Sequence, residues 1–191
     1  YGDIKVFNTN GKINTPYIDQ LASEGMIFTD AHSSSSVCTP TRYGILTGRY
    51  NWRSKLKKSV LNGTSKALIS KKRTTIASLL KNNGYSTGFI GKWHLGWNWS
   101  LIDSTYYEDR VNLEKIDFTK NITHGPNDLG FDYSYGHSGS LDMPPYVYVE
   151  NEKITGKINR VIEDKGEYSW FRKGPTADDF IHDQVTPHFF N

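Results

Sequence analysis

The chain of 191 residues predicts an α/β fold of layered helices and strands. Three observations carry that prediction. Two helix-patterned stretches are each followed by a short apolar run, both helices stop at a glycine, and the residues able to do chemistry gather just beyond the apolar runs.

The first helix starts at Thr15-Pro16, with the hydroxyl placed as N-cap and the proline at the first helical position. Ile18, Leu21 and Ala22 recur at helical spacing until Gly25, and Met26-Ile27-Phe28 then reads as a short buried strand. Pro40, with Thr39 as cap, suits a second helix start. A further unit runs from Thr74 through Ile76, Leu79 and Leu80 to Gly84, a glycine well placed as a C-terminal cap, and Tyr85 to Ile90 follows as a strand. Trp97 to Asn127 is polar and aromatic with poor periodicity and reads as a long loop or insertion. Phe131 to Tyr135 and Tyr146 to Val149 read as strands on either side of a loop from Gly136 to Pro145.

The length suits about one domain. The start at Tyr1 and the stop at Phe190-Asn191 both read as cuts through a longer polypeptide. Lys+Arg 23 against Asp+Glu 20 leaves a formal charge of +3, too small to argue for nucleic acid. Lys55, Lys57, Lys58, Lys71, Lys72 and Arg73 do gather in one stretch, which is either a solvated face or a contact to an anionic substrate. No apolar run reaches membrane-spanning length, and no signal peptide is visible at Tyr1. The single cysteine excludes an internal disulfide framework and a multi-cysteine zinc site, so Cys38 is structural, reactive or chemically converted. Sequons at Asn62, Asn98 and Asn121 suit an exported protein.

The most informative stretch is Cys38-Thr39-Pro40-Thr41-Arg42, followed by Leu46-Thr47-Gly48-Arg49. A helix beginning here puts Cys38 at its N-terminus, where unpaired N–H groups and the dipole attract negative charge. Arg42 follows one helical turn later and can reach back to an oxyanion near residue 38. A thiolate phosphatase loop needs five residues between Cys and Arg, and three stand here, which disfavours that chemistry. A lone cysteine acting as a small buried hydrophobe is the bland alternative.

Cys-x-Pro-x-Arg followed by Leu-Thr-Gly resembles the first signature of the type I sulfatases. The second signature is similar too, in Gly84-Tyr-Ser-Thr-Gly-Phe-Ile-Gly-Lys92-Trp-His94-Leu-Gly96. Weaker similarity covers Tyr1-Gly-Asp3, the stretch from Thr15-Pro16 to Phe28-Thr29, and Ser140-Leu-Asp142-Met-Pro-Pro-Tyr146.

The resemblance implies an alkaline-phosphatase-like sulfatase fold, a mixed sheet flanked by helices and incomplete at both ends. Residues 1–191 would then be the N-terminal portion of a sulfatase catalytic domain. It implies that a separate maturation enzyme oxidises Cys38 to formylglycine, whose hydrated aldehyde is the nucleophile. Arg42, Lys92 and His94 would line the sulfate pocket, and Ser140 would bind substrate, with His137, Asp142 and Tyr146 as candidate substrate contacts. The family's divalent cation, usually calcium, would have residue 38 as one ligand, with the others outside this chain. The implied substrate is a sulfated carbohydrate or an aryl sulfate, and the implied location is secreted, periplasmic or lysosomal. Rival readings are a phosphatase or phosphonate hydrolase of the same superfamily and a non-catalytic carbohydrate-binding fragment. Trp97, Trp99, Tyr146 and Tyr148 either stack on sugar rings or belong to the core.

Overall fold

A computed structural model of the chain describes residues 2–103, 106–163 and 170–190. Two units are distinguished, Tyr1–Ser33 and Ser34–Asn191.

The first unit holds helix α1 (Pro16–Glu24), which begins with proline as its sequence predicts. The Thr15 hydroxyl does not cap it. It accepts from the Lys5 amide (3.0 Å) and donates to Asp19 Oδ1 (3.1 Å), so it serves the preceding loop instead. None of α1 is buried, and Tyr17 and Leu21 are exposed. The predicted strand Met26–Phe28 does not form, and Met26 and Phe28 remain exposed. A strand exists only as a hydrogen-bonded pair, and no described segment pairs with this one. Of the Tyr1-Gly-Asp3 segment, Tyr1 lies outside the described residues, and Gly2 and Asp3 lie in a turn.

The second unit carries helices α2 (Cys38–Thr47), α3 (Ile76–Asn82) and α4 (Val185–Phe190). Its strands are β1 (Gly88–Lys92), β2 (Tyr133–His137), β3 (Val149–Glu150), β4 (Lys153–Ile154), β5 (Ile158–Ile162) and β6 (Gly174–Ala177). Strands β1 to β4 form one mixed sheet in sequence order, β1 and β2 parallel and the rest antiparallel. Strands β5 and β6 form a separate antiparallel pair, which the sequence reading did not foresee.

Helix α3 is held at both ends by its own sequence. The Thr75 hydroxyl accepts from the Ser78 amide (3.1 Å) and Ser78 Oγ accepts from the Thr75 amide (2.9 Å), a reciprocal capping box. At the other end Gly84 takes φ +84, its amide donates to Lys81 O, and the Tyr85 amide donates to Leu80 O. That pair of bonds is a Schellman stop and needs a residue tolerant of the left-handed region, as Gly84 is.

The following strand starts at Gly88 rather than Tyr85, because the Schellman turn and the Thr87 contacts to Asp132 use the intervening residues. Strand β2 is likewise shifted toward its C-terminal end, so that Lys92 stands opposite His137. Gly91 stands opposite Gly136, and a Cβ on Gly136 would collide with the Gly91 carbonyl oxygen.

Among its described residues the stretch Trp97 to Asn127 has isolated bridges but no strand of its own, as an insertion should, yet it supplies core. Trp97 and Trp99 meet edge to face at 5.4 Å, and both are buried, with Val111, Ile116 and Ile122 around them. Tyr146 and Tyr148 are buried as well. The four aromatic side chains left open by the sequence are therefore core.

Candidate active site

Cys38 is the first residue of α2, half-buried and unpaired. The helix begins two residues earlier than the Thr39-Pro40 pattern predicts, with Val37 as N-cap. The reason is the use made of Thr39. Its hydroxyl donates to His94 O (2.9 Å) and accepts from the Leu61 amide (3.2 Å), so it is committed to two other segments and cannot cap. The first turn keeps the Cys38 and Thr39 amides free of intrahelical partners, and Pro40 has no N–H to leave unsatisfied.

Arg42 lies one turn along α2, and its Nη1 donates to the Lys92 carbonyl (2.5 Å). Burial lowers its pKa, opposed by the charge of Cys38. Lys92 ends β1, and its ammonium donates to Ser140 Oγ (2.7 Å) across 48 residues of sequence. The backbone beyond both strands stays paired, because the Trp93 amide donates to His137 O and the His94 amide to Ser138 O, each at 3.0 Å. The Cys38 helix, the Lys92 strand end and the Ser140 loop are thus joined by direct hydrogen bonds.

His94 is fully buried at φ +54, in the left-handed region that non-glycine residues rarely occupy. Its Nε2 lies 2.7 Å from Leu61 O. A carbonyl can only accept, so Nε2 carries the proton, and Nδ1 presents a lone pair. Burial above all, helped by the charges of Lys92 and Arg42, pushes the ring's pKa down to about 4, so the imidazole is neutral at physiological pH.

Nδ1 of His94 and Nε of Arg42 are both buried without a hydrogen-bond partner among the described residues. Each such orphan costs about 1–3 kcal/mol, which a folded protein tolerates where a ligand will complete the pairing. One orphan is a donor and the other an acceptor. Together with the Lys92 ammonium they suit a tetrahedral oxyanion beside a group that surrenders a proton.

The remaining candidates divide. Ser140 reaches the cluster through Lys92. His137 feels the charges of Lys92, Arg42 and His94, but it is buried, with its pKa pushed down to about 4 by desolvation, and its ring stacks on Phe189 at 5.9 Å. Asp142 pairs with Arg172 (3.2 Å). Tyr146 is only 1% exposed, and its hydroxyl donates to Arg172 O (2.7 Å), which makes it an anchor of the loop rather than a contact surface. Thr39 and the Leu61 carbonyl were missed by sequence reasoning. Thr39 reads as a helix cap, and a backbone carbonyl carries no sequence signal.

Calcium takes six to eight oxygen ligands. Among the described residues no group of three or more His, Cys, Asp or Glu could hold a metal ion, and Asp142, whose charge reaches His94, pairs with Arg172. The described residues therefore do not fit that ion by themselves.

A family model described as Sulfatase matches residues 3–186. An N-acetylgalactosamine-6-O-sulfatase of Bacteroides thetaiotaomicron is 36% identical over 155 residues, covering 81% of this chain and 27% of the relative. Human arylsulfatase G is 36% identical over 130 residues, covering 68% of this chain and 20% of the relative. A solved structure from work on the metabolism of multiple glycosaminoglycans by Bacteroides thetaiotaomicron superimposes with a TM-score of 0.70 at 27% identity, covering 93% of this chain and 41% of that one. The chain thus spans about a quarter of the curated relatives' length. The match across nearly its whole length, on the fold and motifs described above, makes this chain a member of the sulfatase family.

Proposed function

We propose that the polypeptide to which this chain belongs hydrolyses sulfate esters carried on carbohydrate, with position 38 as the nucleophile. The observation that carries this reading is the junction of Cys38, Arg42, Lys92 and His94 around two unpartnered buried polar atoms. The names of two relatives in the comparison, an N-acetylgalactosamine-6-O-sulfatase and a glycosaminoglycan-metabolism protein, support carbohydrate as the carrier.

A free, half-buried thiol at a helix N-terminus, within reach of the Arg42 charge, fits conversion to formylglycine by a separate maturation enzyme. Once formed, the hydrated aldehyde supplies an oxygen nucleophile. Arg42 and Lys92 bind the sulfate oxygens and balance the charge that grows on them as the ester bond breaks. Ser140 fixes the direction of the Lys92 ammonium. Nδ1 of His94, kept unprotonated by the commitment of Nε2 to Leu61, takes a proton from the hydroxyl placed against it. The exposed sequon Asn121 is consistent with an exported parent, and no helix of the described residues is long and apolar enough to cross a membrane.

The test is product release from matched aryl sulfate and aryl phosphate esters by the full-length protein. Faster sulfate release is expected. Faster phosphate release would move the chain's chemistry to phosphoryl transfer.

A further inference from the structure

Trp97, Trp99, Tyr146 and Tyr148, the aromatic side chains best placed in sequence to stack on sugar, are buried in the core. A different pair is free. Just past the C-terminal end of α2, Tyr50 and Trp52 stack on each other with centroids 4.1 Å apart and planes 11° from parallel, and each is 52% exposed. Stacking together occupies one face of each ring and leaves an apolar surface outward.

Its surroundings are cationic. The segment from Arg49 to Lys58 contains five Lys and Arg and no acid. Arg53, Lys55, Lys57 and Lys58 are all exposed, and among the described residues none has a carboxylate partner. The turn is built to stay in place, because Ser54 Oγ donates to Asn51 O (2.6 Å), Asn51 Nδ2 to Leu56 O (3.3 Å) and Lys57 Nζ to Trp52 O (2.6 Å). Lys55 and Leu56 also border a cavity of about 400 Å³ that Leu61, Lys66 and Arg110 line as well. The Leu61 carbonyl holds the His94 ring, so the cavity and the catalytic cluster have that residue in common.

We propose that the Tyr50–Trp52 platform and its Arg53, Lys55, Lys57 and Lys58 rim dock a sulfated polysaccharide. Sugar C–H faces lie on the rings, and the rim pairs with sulfate or carboxylate groups on neighbouring sugars. Helix α2, ten residues or about 15 Å long, has Cys38 at its first residue and the platform just past its last, so the platform would grip units of the polymer other than the one being cleaved. Unpaired positive charge beside an exposed apolar surface favours this occupant over an apolar protein segment. The inference rests on the reading of the parent protein as a carbohydrate sulfatase.

The experiment uses the full-length protein, wild type, Trp52→Ala and Lys55→Ala/Lys58→Ala, on two probes: chondroitin sulfate polymer and a small aryl sulfate. Binding of the polymer is read separately by affinity electrophoresis, with unsulfated dextran as control. Trp52→Ala is expected to weaken polymer binding and raise its KM by about tenfold, leaving kinetics on the aryl sulfate unchanged. The double lysine variant is expected to do the same with a strong salt dependence. Equal effects on both probes, or a lowered Tm with polymer affinity unchanged, would show that the platform packs against the protein's own chain and would overturn the proposal. Failure of wild type to release sulfate from either probe, with polymer binding still lost in Trp52→Ala, would sink the hydrolase reading and leave the docking surface standing.

Discussion

Helices α1 and α3 are written in the same pattern, a Thr-capped start, three apolar residues at helical spacing and a closing glycine, yet only α3 is fixed by its own ends. Thr75 and Ser78 cap α3 reciprocally, Thr75 also donates to Leu129 O (2.5 Å), and Gly84 closes it. In α1 the Thr15 hydroxyl is diverted to Lys5 and Asp19, and no residue is buried. The apolar runs diverge likewise, since β1 pairs with β2 while Met26–Phe28 pairs with no described segment. A pattern suffices to write a helix, but a strand needs a partner, and only the paired strand delivers a side chain, Lys92, to a site.

The sharpest way to break this contrast is at that strand end. Lys92→Ala in the full-length protein is expected to lower kcat/KM for an aryl sulfate on the order of 10²- to 10³-fold, as removal of an oxyanion donor does elsewhere. Unchanged kinetics would remove Lys92 from the site.

Next in size is Gly136→Ala, whose Cβ would collide with the Gly91 carbonyl oxygen inside the β1–β2 pairing. A loss of about 2–4 kcal/mol in urea unfolding is expected, and a loss within experimental error would refute the close approach.

The two caps give the direct comparison. Thr75→Ala should cost about 1–2 kcal/mol, because both the cap and the bond to Leu129 are lost. Thr15→Ala should cost less, about 0.5–1 kcal/mol, since its hydroxyl caps nothing and loses only its loop bonds to Lys5 and Asp19. Equal losses would erase the distinction.

A pH effect belongs to the second unit, which holds both shifted histidines of the site. His94 and His137 are each held near pKa 4 in the fold, below the unfolded value of about 6.5. Between those values the unfolded chain binds more protons, so stability rises with pH through that window and falls as pH drops from 6.5 toward 4. His94→Gln together with His137→Gln should flatten that slope in thermal melts, and an undiminished slope would place the titration elsewhere.

How much of this was legible from the sequence depends on distance along the chain. Gly84 as a helix stop and Cys38 with Arg42 on one helical face are local relations, and both appear in the structure. The bond from Lys92 to Ser140 spans 48 residues, and only resemblance could suggest that they share a pocket. Thr39 was misread because a hydroxyl before proline looks like a cap, whereas its partners His94 O and Leu61 N come from other segments. Tyr146 was left open between substrate contact and core because its hydroxyl's partner, the Arg172 backbone, lies 26 residues away. The tautomer of His94 was beyond reach, being set by the Leu61 carbonyl.

The central claim, that the cationic junction around residue 38 serves a converted cysteine, is tested most directly by the mass of the tryptic peptide from Ile13 to Arg42 of the full-length protein from its native host. An aldehyde in place of the Cys38 thiol is the predicted result. An unmodified thiol in protein that releases sulfate at full rate would contradict the account.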